Sequence, residues 1–197
     1  MIKTREDLKY YLECDRLARG EQKLRPSLLG DKMWKFQILY RKAEYHYNNR
    51  SNPWHRLMYY ADYFTFRRKR DRLCSELPLN VFAEGLVIWH GQNIIVNESA
   101  KVGRNFSISA GCCIGQAHGE APVIGDNVEM TIGSMVLGGI RIASDVTIGA
   151  GAVVVKNIDS PGTSWGGVPA RCISHRENAY VAEKKQRLQA ILRQDIK

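Results

Sequence analysis

"VIGDNVEMTIGSMVLGGIRIASDVTIGAGAVVV", residues 123–155, carries an aliphatic side chain at every sixth position: Ile124, Met130, Val136, Ile142, Ile148 and Val154. Upstream, Val102, Ile108 and Ile114 keep the same spacing. The step from Ile114 to Ile124 is ten, one repeat plus four extra residues, and these fall in the polar stretch QAHGEAPV (116–123), which reads as a flexible loop bulging from the repeat. A period of six cannot be an amphipathic helix, which repeats near 3.6. It suits a coil of three short flat strands per turn, each pointing one aliphatic side chain inward. Glycine follows four of the nine aliphatic residues, as Gly103, Gly115, Gly125 and Gly149. Small or short side chains stand four places after several of them, at Cys112, Val128, Ser134, Val146 and Ala152, and suit tight corners.

The chain around the coil has a different period. Thr4 with Asp7 forms a capping box ahead of Leu8, Tyr11 and Leu12. Asp31 is placed to cap a second helix bearing Met33, Trp34, Ile38 and Ala43. Pro53 opens a third, whose stripe of Leu57, Tyr60, Ala61 and Phe64 is expected to pack helix on helix. Ser174 with Glu177 forms another capping box, before a helix whose apolar face is Val181, Leu188, Ile191 and Leu192 and which is expected to cover one end of the coil. The organisation expected is thus a helical region over 1–75, the coil over 76–174 and a C-terminal helix over 175–197.

The formal charge of +9 is uneven. Residues 1–75 hold 18 Lys/Arg against 9 Asp/Glu, and the remainder holds 11 against 11. Much of the excess lies in RRKRDR, Arg67 to Arg72. The plainer reading is a solvated helical face; the sharper one is attraction to an anionic surface. No nucleic-acid motif accompanies the charge, so a nucleic-acid partner is not expected. No apolar run approaches the ~18 residues of a membrane span, and the charged start MIKTREDLKYYLE lacks a signal-peptide core, so no stable membrane insertion and a cytoplasmic location are expected. The five cysteines are odd in number and include no CxxC, which suits reduced structural thiols.

In "IWHGQNIIVN" (88–97) a histidine interrupts a β-branched run. Counting back in sixes from Val102 reaches Val96 and then His90. A second count, Phe82, Ile88, Ile94, also runs in sixes but out of phase with the first. The registers conflict over 90–97, so the coil is expected to depart from regularity there and free His90 from the core.

The repeats, with VTIGAGAVVVKNI (146–158) and GGVPARCI (166–173), resemble the hexapeptide-repeat acyltransferases. NVFAEGLVIWHGQNIIVNESAKVG (80–103) is most similar to their serine acetyltransferase branch and to the related O-acetyltransferases of surface polysaccharides. The resemblance covers roughly residues 76–174. It implies a left-handed parallel β-helix, an acetyl-CoA co-substrate, no metal, and a trimer, with hexamers as a further possibility through the helical part. It also implies that His90 is the general base, in a cleft between adjacent subunits.

The chemistry suits the residue. An imidazole titrating near neutrality can take a proton from an acceptor hydroxyl as the oxygen attacks a thioester carbonyl. A carboxylate often orients such a base, and Glu76 is the candidate where the resembled enzymes carry an aspartate. On the donor side, Gly149, Ala150, Gly151 and Lys156 match the acetyl-CoA segment, and Arg171 is a second candidate for the CoA phosphates. Trp165 is placed either against the CoA arm or over the last rung. Trp89 and His118 are acceptor-side candidates. The acceptor side also departs from the family. Where serine acetyltransferases carry Arg-His-Pro, this chain reads Glu120-Ala121-Pro122, and a glutamate cannot clamp a substrate carboxylate as arginine does. The acceptor expected is therefore the hydroxyl of L-serine or of a surface-polysaccharide sugar or precursor. The alternatives are a non-catalytic β-helix scaffold, against which the CoA-type segment speaks, and a γ-carbonic-anhydrase-like metalloenzyme. The latter needs three zinc histidines, and the coil region has only His90 and His118.

Overall fold

The computed structural model describes residues 1–192, with side chains to 189. Ile191 and Leu192 of the expected apolar face, and the last five residues of the expected C-terminal helix, lie outside the described side chains and residues. The described chain forms helices α1 (Arg5–Arg19), α2 (Lys32–Asn48) and α3 (Pro53–Arg72), thirteen short strands, and helix α4 (Ala179–Leu192).

The strands stack in three parallel columns. The first holds β1 (Val87–Ile88), β4 (Ser107–Ile108), β7 (Glu129–Met130) and β10 (Thr147–Ile148), extended by β12 (Ser164–Gly166) and the antiparallel β13 (Arg171–Ser174). The second holds β2 (Ile95–Val96), β5 (Cys113–Gly115), β8 (Met135–Leu137) and β11 (Val153–Val154). The third holds β3 (Lys101–Val102), β6 (Val123–Ile124) and β9 (Arg141–Ile142). From β1 to β12 consecutive strands lie in different columns, so the chain winds as a coil of about four turns. Every aliphatic residue of the six-residue series is buried, as are Cys112, Val128, Ser134, Val146 and Ala152 at the corners. Each buried Ile or Val contributes roughly 1.5–3 kcal/mol, so stacked aliphatic rungs form a core without long strands. Cys112 and Cys113 face opposite sides, one inward and one on the outer surface, and no cysteine is paired.

The four extra residues project as expected, but in a compact form. Ala117 and Glu120 exchange both backbone hydrogen bonds, 3.0 and 3.1 Å, around His118 (φ 53°) and Gly119 (φ 83°). Two successive positive φ values mark a tight type I′ hairpin turn, not a flexible loop.

The N-terminal helices cap the first turn of the coil. Thr4 and Asp7 make the expected capping box, and Asn52 caps α3 ahead of Pro53. Asp31 does precede α2, but its carboxylate accepts from Ser27 N and makes no cap bond. Arg41 of α2, fully buried, donates to Asp15 (2.8 and 3.2 Å), to Glu44 (2.9 Å) and to the carbonyls of Phe82 and Ala83 (3.0 and 2.7 Å). The same carboxylates accept from Leu86 N and Asn80 N. This network ties α1 and α2 to the coil's opening residues.

The stripe expected to pack α3 faces the other way. Leu57 (62% exposed), Tyr60, Ala61 and Phe64 (61%) lie on the surface, and Tyr59, Tyr63 and the buried Phe66 face inward. Both faces of this helix are aromatic, so spacing alone does not choose between them. Helix α4 also differs from expectation. Its cap is Asn178, which accepts from Tyr180 N, and Ser174 instead accepts from Arg176 N. The helix lies along the flank of the first column instead of over an end. Lys184 Nζ donates to Asn105 O (2.6 Å) and Ser107 Oγ (2.7 Å), and Lys185 Nζ to Asp145 (2.8 Å). Burial pushes the Lys184 ammonium down to about 7, opposed in part by Glu129. Among the described residues no helix is long and apolar enough to cross a membrane.

Candidate active site

The register conflict is real and measures two residues. A regular turn takes 18 residues, as from Glu129 to Thr147, and the first takes 20, from Val87 to Ser107. The surplus falls between Ile88 and Val96, both buried and eight residues apart. The corner between the first and second columns swells, Ile94 fills its interior, and His90 is exposed. The core reading of this histidine is therefore excluded.

The swollen corner is held from beneath. Ser75 Oγ donates to Gly91 O (2.6 Å) and accepts from Ile94 N (3.0 Å), and Asn93, with φ 54°, donates its N–H to Leu73 O (2.9 Å). Side-chain tips pack directly on Gly91: an added Cβ would lie 2.5 Å from Met33 Cε and 3.1 Å from Leu73 Cδ1. Trp89, an acceptor-side candidate, packs between helices, with the Arg19 guanidinium 5.5 Å from its ring and the Tyr180 ring at 6.1 Å. Arg19 also donates to Ile88 O (2.9 Å). The residue before His90 is thus clamped by the first and last helices, which fixes the imidazole's point of origin.

Above this corner runs a column of glycines. Gly111, Gly133 and Gly151 share positive φ values of 71°, 68° and 66° and repeat one backbone bond: Gly111 N to Gln92 O, Gly133 N to Ala110 O, Gly151 N to Ile132 O. Ala150 and Gly151 therefore stand on the same corner as His90, three rungs on, or about 14 Å at ~4.8 Å per rung. Nothing lies within 4 Å of where a Cβ of Gly151 would be, and among the described residues no hydrogen bond engages the Ala150 N–H. The corner is an open track lined by free backbone. Gly149 is occupied structurally, its N–H bonded to Trp165 O (2.7 Å). Lys156 and Arg171 are exposed beyond it. Trp165 pairs with Ile148 and packs on the core, sealing the last rung.

The other candidates stand apart from His90 within one protomer. Glu76 is exposed on the outer face of the second column, bridged to Ile95; burial, then Cys112 and least of all Glu76, raise the Cys113 thiol. Among the described residues no hydrogen bond or ion pair joins Glu76 to His90. His118 tops the hairpin turn on the next corner, between the second and third columns. Glu120 folds against Gly139, where an added Cβ would meet its carboxylate.

A second feature was hidden from the sequence. A cleft of about 870 Å³ opens between α3 and the first turn, lined by Tyr47, Tyr59, Tyr63, Arg70, Glu76 and Glu98 among others. Tyr59 and Tyr63 stack with ring centroids 5.1 Å apart. Their spacing of four was visible, but not that α3 would turn this face to the coil.

No protein-family model matches the chain. Among curated proteins it is 37% identical over 92 residues to the serine acetyltransferase of Staphylococcus epidermidis, covering 45% of this chain and 43% of that protein. Among solved structures it superposes on the serine acetyltransferase of Brucella abortus with a TM-score of 0.69, at 24% identity, over 87% of this chain and 71% of that one. Over those 92 residues the chain resembles serine acetyltransferases. A serine acetyltransferase complex with CoA superposes with a TM-score of 0.62 at 20% identity, over 86% and 71% of the two chains. These superpositions make the coil of this chain a left-handed β-helix. The matched stretch spans less than half the length of the curated relative.

Proposed function

We propose that the chain is an acetyl-CoA-dependent O-acetyltransferase in which His90 is the general base. The observation that carries this reading is the shared corner: an exposed imidazole on a two-residue swelling, in line with a glycine track that ends in the free Ala150 N–H. An extended pantetheine arm laid along that track would be held by corner backbone, with Lys156 and Arg171 meeting the phosphates and the thioester near His90. His90 takes the proton of the acceptor hydroxyl as its oxygen bonds to the thioester carbonyl carbon. The tetrahedral intermediate collapses, the C–S bond breaks, and the CoA thiolate takes the proton back from His90. The product is an O-acetyl ester, and no covalent enzyme intermediate forms.

The outer faces support a trimer with the site at its seams. The first column is covered by α4, and the third presents Lys101 and Arg141 with Val123 between them. The second presents Ile95, Cys113, Met135 and Val153, an apolar strip bordered by the His90 corner. Packing that strip against a neighbour removes it from water and sets His90 beside a second chain. Across such a seam His118 or Glu76 of one chain would complete the site of another.

The named relatives favour L-serine as acceptor. Two observations favour a sugar hydroxyl: Glu120 and Ala121 stand where a carboxylate clamp is expected, and the tyrosine-lined cleft offers ring faces beside Glu76 and Glu98. The apolar face of a pyranose packs on aromatic rings and its hydroxyls need such polar partners. Thiol release from acetyl-CoA, followed with L-serine and with nucleotide-sugar or oligosaccharide acceptors, tests both. Efficient serine acetylation rejects the sugar acceptor, and no release with any hydroxyl compound rejects the enzyme.

A further inference from the structure

The cationic excess of the N-terminal helices is not spread evenly. Lys32 and Lys35 of α2 and Lys69 and Arg72 of α3 meet around a groove of about 240 Å³ floored by Met33, Phe36 and Leu73. Among the described residues no acidic side chain lines it. Among the described residues none of these four cations is in an ion pair. The nearby carboxylates are engaged elsewhere, Asp71 with Arg67 and Arg70 and Asp31 with Ser27 N. Lys35 also donates to Leu28 O. Four like charges held together without counter-ions destabilise the fold by mutual repulsion, and an anion removes that cost.

The position of the groove gives it a meaning. Met33 and Leu73, which line it, also pack against Gly91, the residue that follows His90. It lies at the first-turn end of the coil, and the glycine track runs from His90 the other way, toward Gly151. CoA phosphates at Lys156 and Arg171 are therefore remote from it. The anion it takes belongs on the acceptor side.

We infer that this groove is an acceptor subsite for a phosphate or diphosphate group, so that the hydroxyl presented to His90 belongs to a phosphate-bearing substrate. The inference rests on the acetyl-transfer reading for its meaning but not for its test. Phosphate oxygens accept charge-assisted hydrogen bonds from Lys and Arg, and the Met33–Leu73 floor suits an uncharged ring or chain next to them. The group has two possible carriers, a soluble sugar phosphate or a lipid-linked one.

Binding of inorganic pyrophosphate to the full chain, measured by calorimetry with CoA present to occupy the donor track, is the direct test. Wild type should bind, and Lys69→Ala/Arg72→Ala should bind at least about ten-fold more weakly with unchanged CoA affinity. In turnover the same variant should raise KM for a sugar 1-phosphate by at least that factor, leave kcat near wild type, and leave KM for the unphosphorylated sugar unmoved. Vesicles of neutral lipid doped with a polyprenyl phosphate assign the carrier: capture supports the groove with a lipid-linked group, and turnover of the sugar phosphate supports it with a soluble one. Pyrophosphate binding that is absent in wild type, or unchanged in the double variant, overturns the inference. Such a failure leaves thiol release with other acceptors intact, whereas failure of the enzyme reading abolishes it.

Discussion

Replacing Arg41 with alanine should cost the chain most of its stability. The guanidinium is fully buried and makes five hydrogen bonds, three to Asp15 and Glu44 and two to the carbonyls of Phe82 and Ala83. Alanine leaves two carboxylates buried without their cation and two carbonyls without donors. Leu86 N and Asn80 N still serve the carboxylates but carry only partial charge. Breaking a buried ion pair by removing one partner costs about 3–5 kcal/mol. Against a typical total of about 5–15 kcal/mol that is a large fraction. With a urea m-value of about 1–3 kcal/mol/M, the midpoint should fall by more than about 1 M. Urea unfolding followed by Trp fluorescence reads this, because Trp34 and Trp89 sit on the elements that Arg41 joins. Arg41→Ala/Asp15→Asn/Glu44→Gln should recover part of the loss, since it removes the stranded charges. A midpoint shift under about 0.3 M, or a triple variant worse than the single one, would refute the view that this network fastens the helices to the coil.

Lys184 gives a pH dependence with a definite sign. Its amine titrates near 10.5 when unfolded and about 7 when folded, because burial penalises the charge. Between those values the unfolded chain holds the extra proton, so raising the pH favours the fold, by about 2 kcal/mol from pH 7 to 9. Lys184→Met should lose that slope in urea titrations, and equal slopes would place the amine in contact with water. Gly151→Asn should weaken CoA binding at least about ten-fold with little change in melting temperature, since Asn93, Asn105 and Asn127 already adopt positive φ at other corners of this coil. Calorimetry with CoA checks it, and unaltered affinity would remove the glycine track from the donor site. Glu120→Arg/Ala121→His should raise kcat/KM for L-serine at least about ten-fold by supplying the carboxylate clamp. A variant with no gain over wild type would remove the hairpin turn from the acceptor site.

The coil was legible because its signal is a period, repeated nine times and set by inward side chains that each rung needs. The swelling at His90 was legible as a misfit between two such counts, and its size of two residues is what the sequence could not assign to a particular gap. The helix cap at Thr4 is local chemistry and forms as expected, whereas Asp31 and Ser174 accept from Ser27 N and Arg176 N and cap no helix. Long-range features were hidden. The outward turn of Leu57, Tyr60 and Phe64 depends on which of two aromatic faces meets the coil. The flank position of α4 depends on Lys184 finding Asn105 and Ser107, some eighty residues away. Arg41 looks like one more surface cation until Asp15 and Glu44 are brought to it. The cation groove and the tyrosine cleft exist only once α2 and α3 are laid against the first turn.

The central claim is that His90 removes the proton from an acceptor hydroxyl. His90→Ala should lower the rate of acceptor-dependent thiol release from acetyl-CoA by about 10²–10⁴-fold, with CoA affinity and melting temperature unchanged. A variant that still releases thiol within about three-fold of the wild-type rate would contradict it.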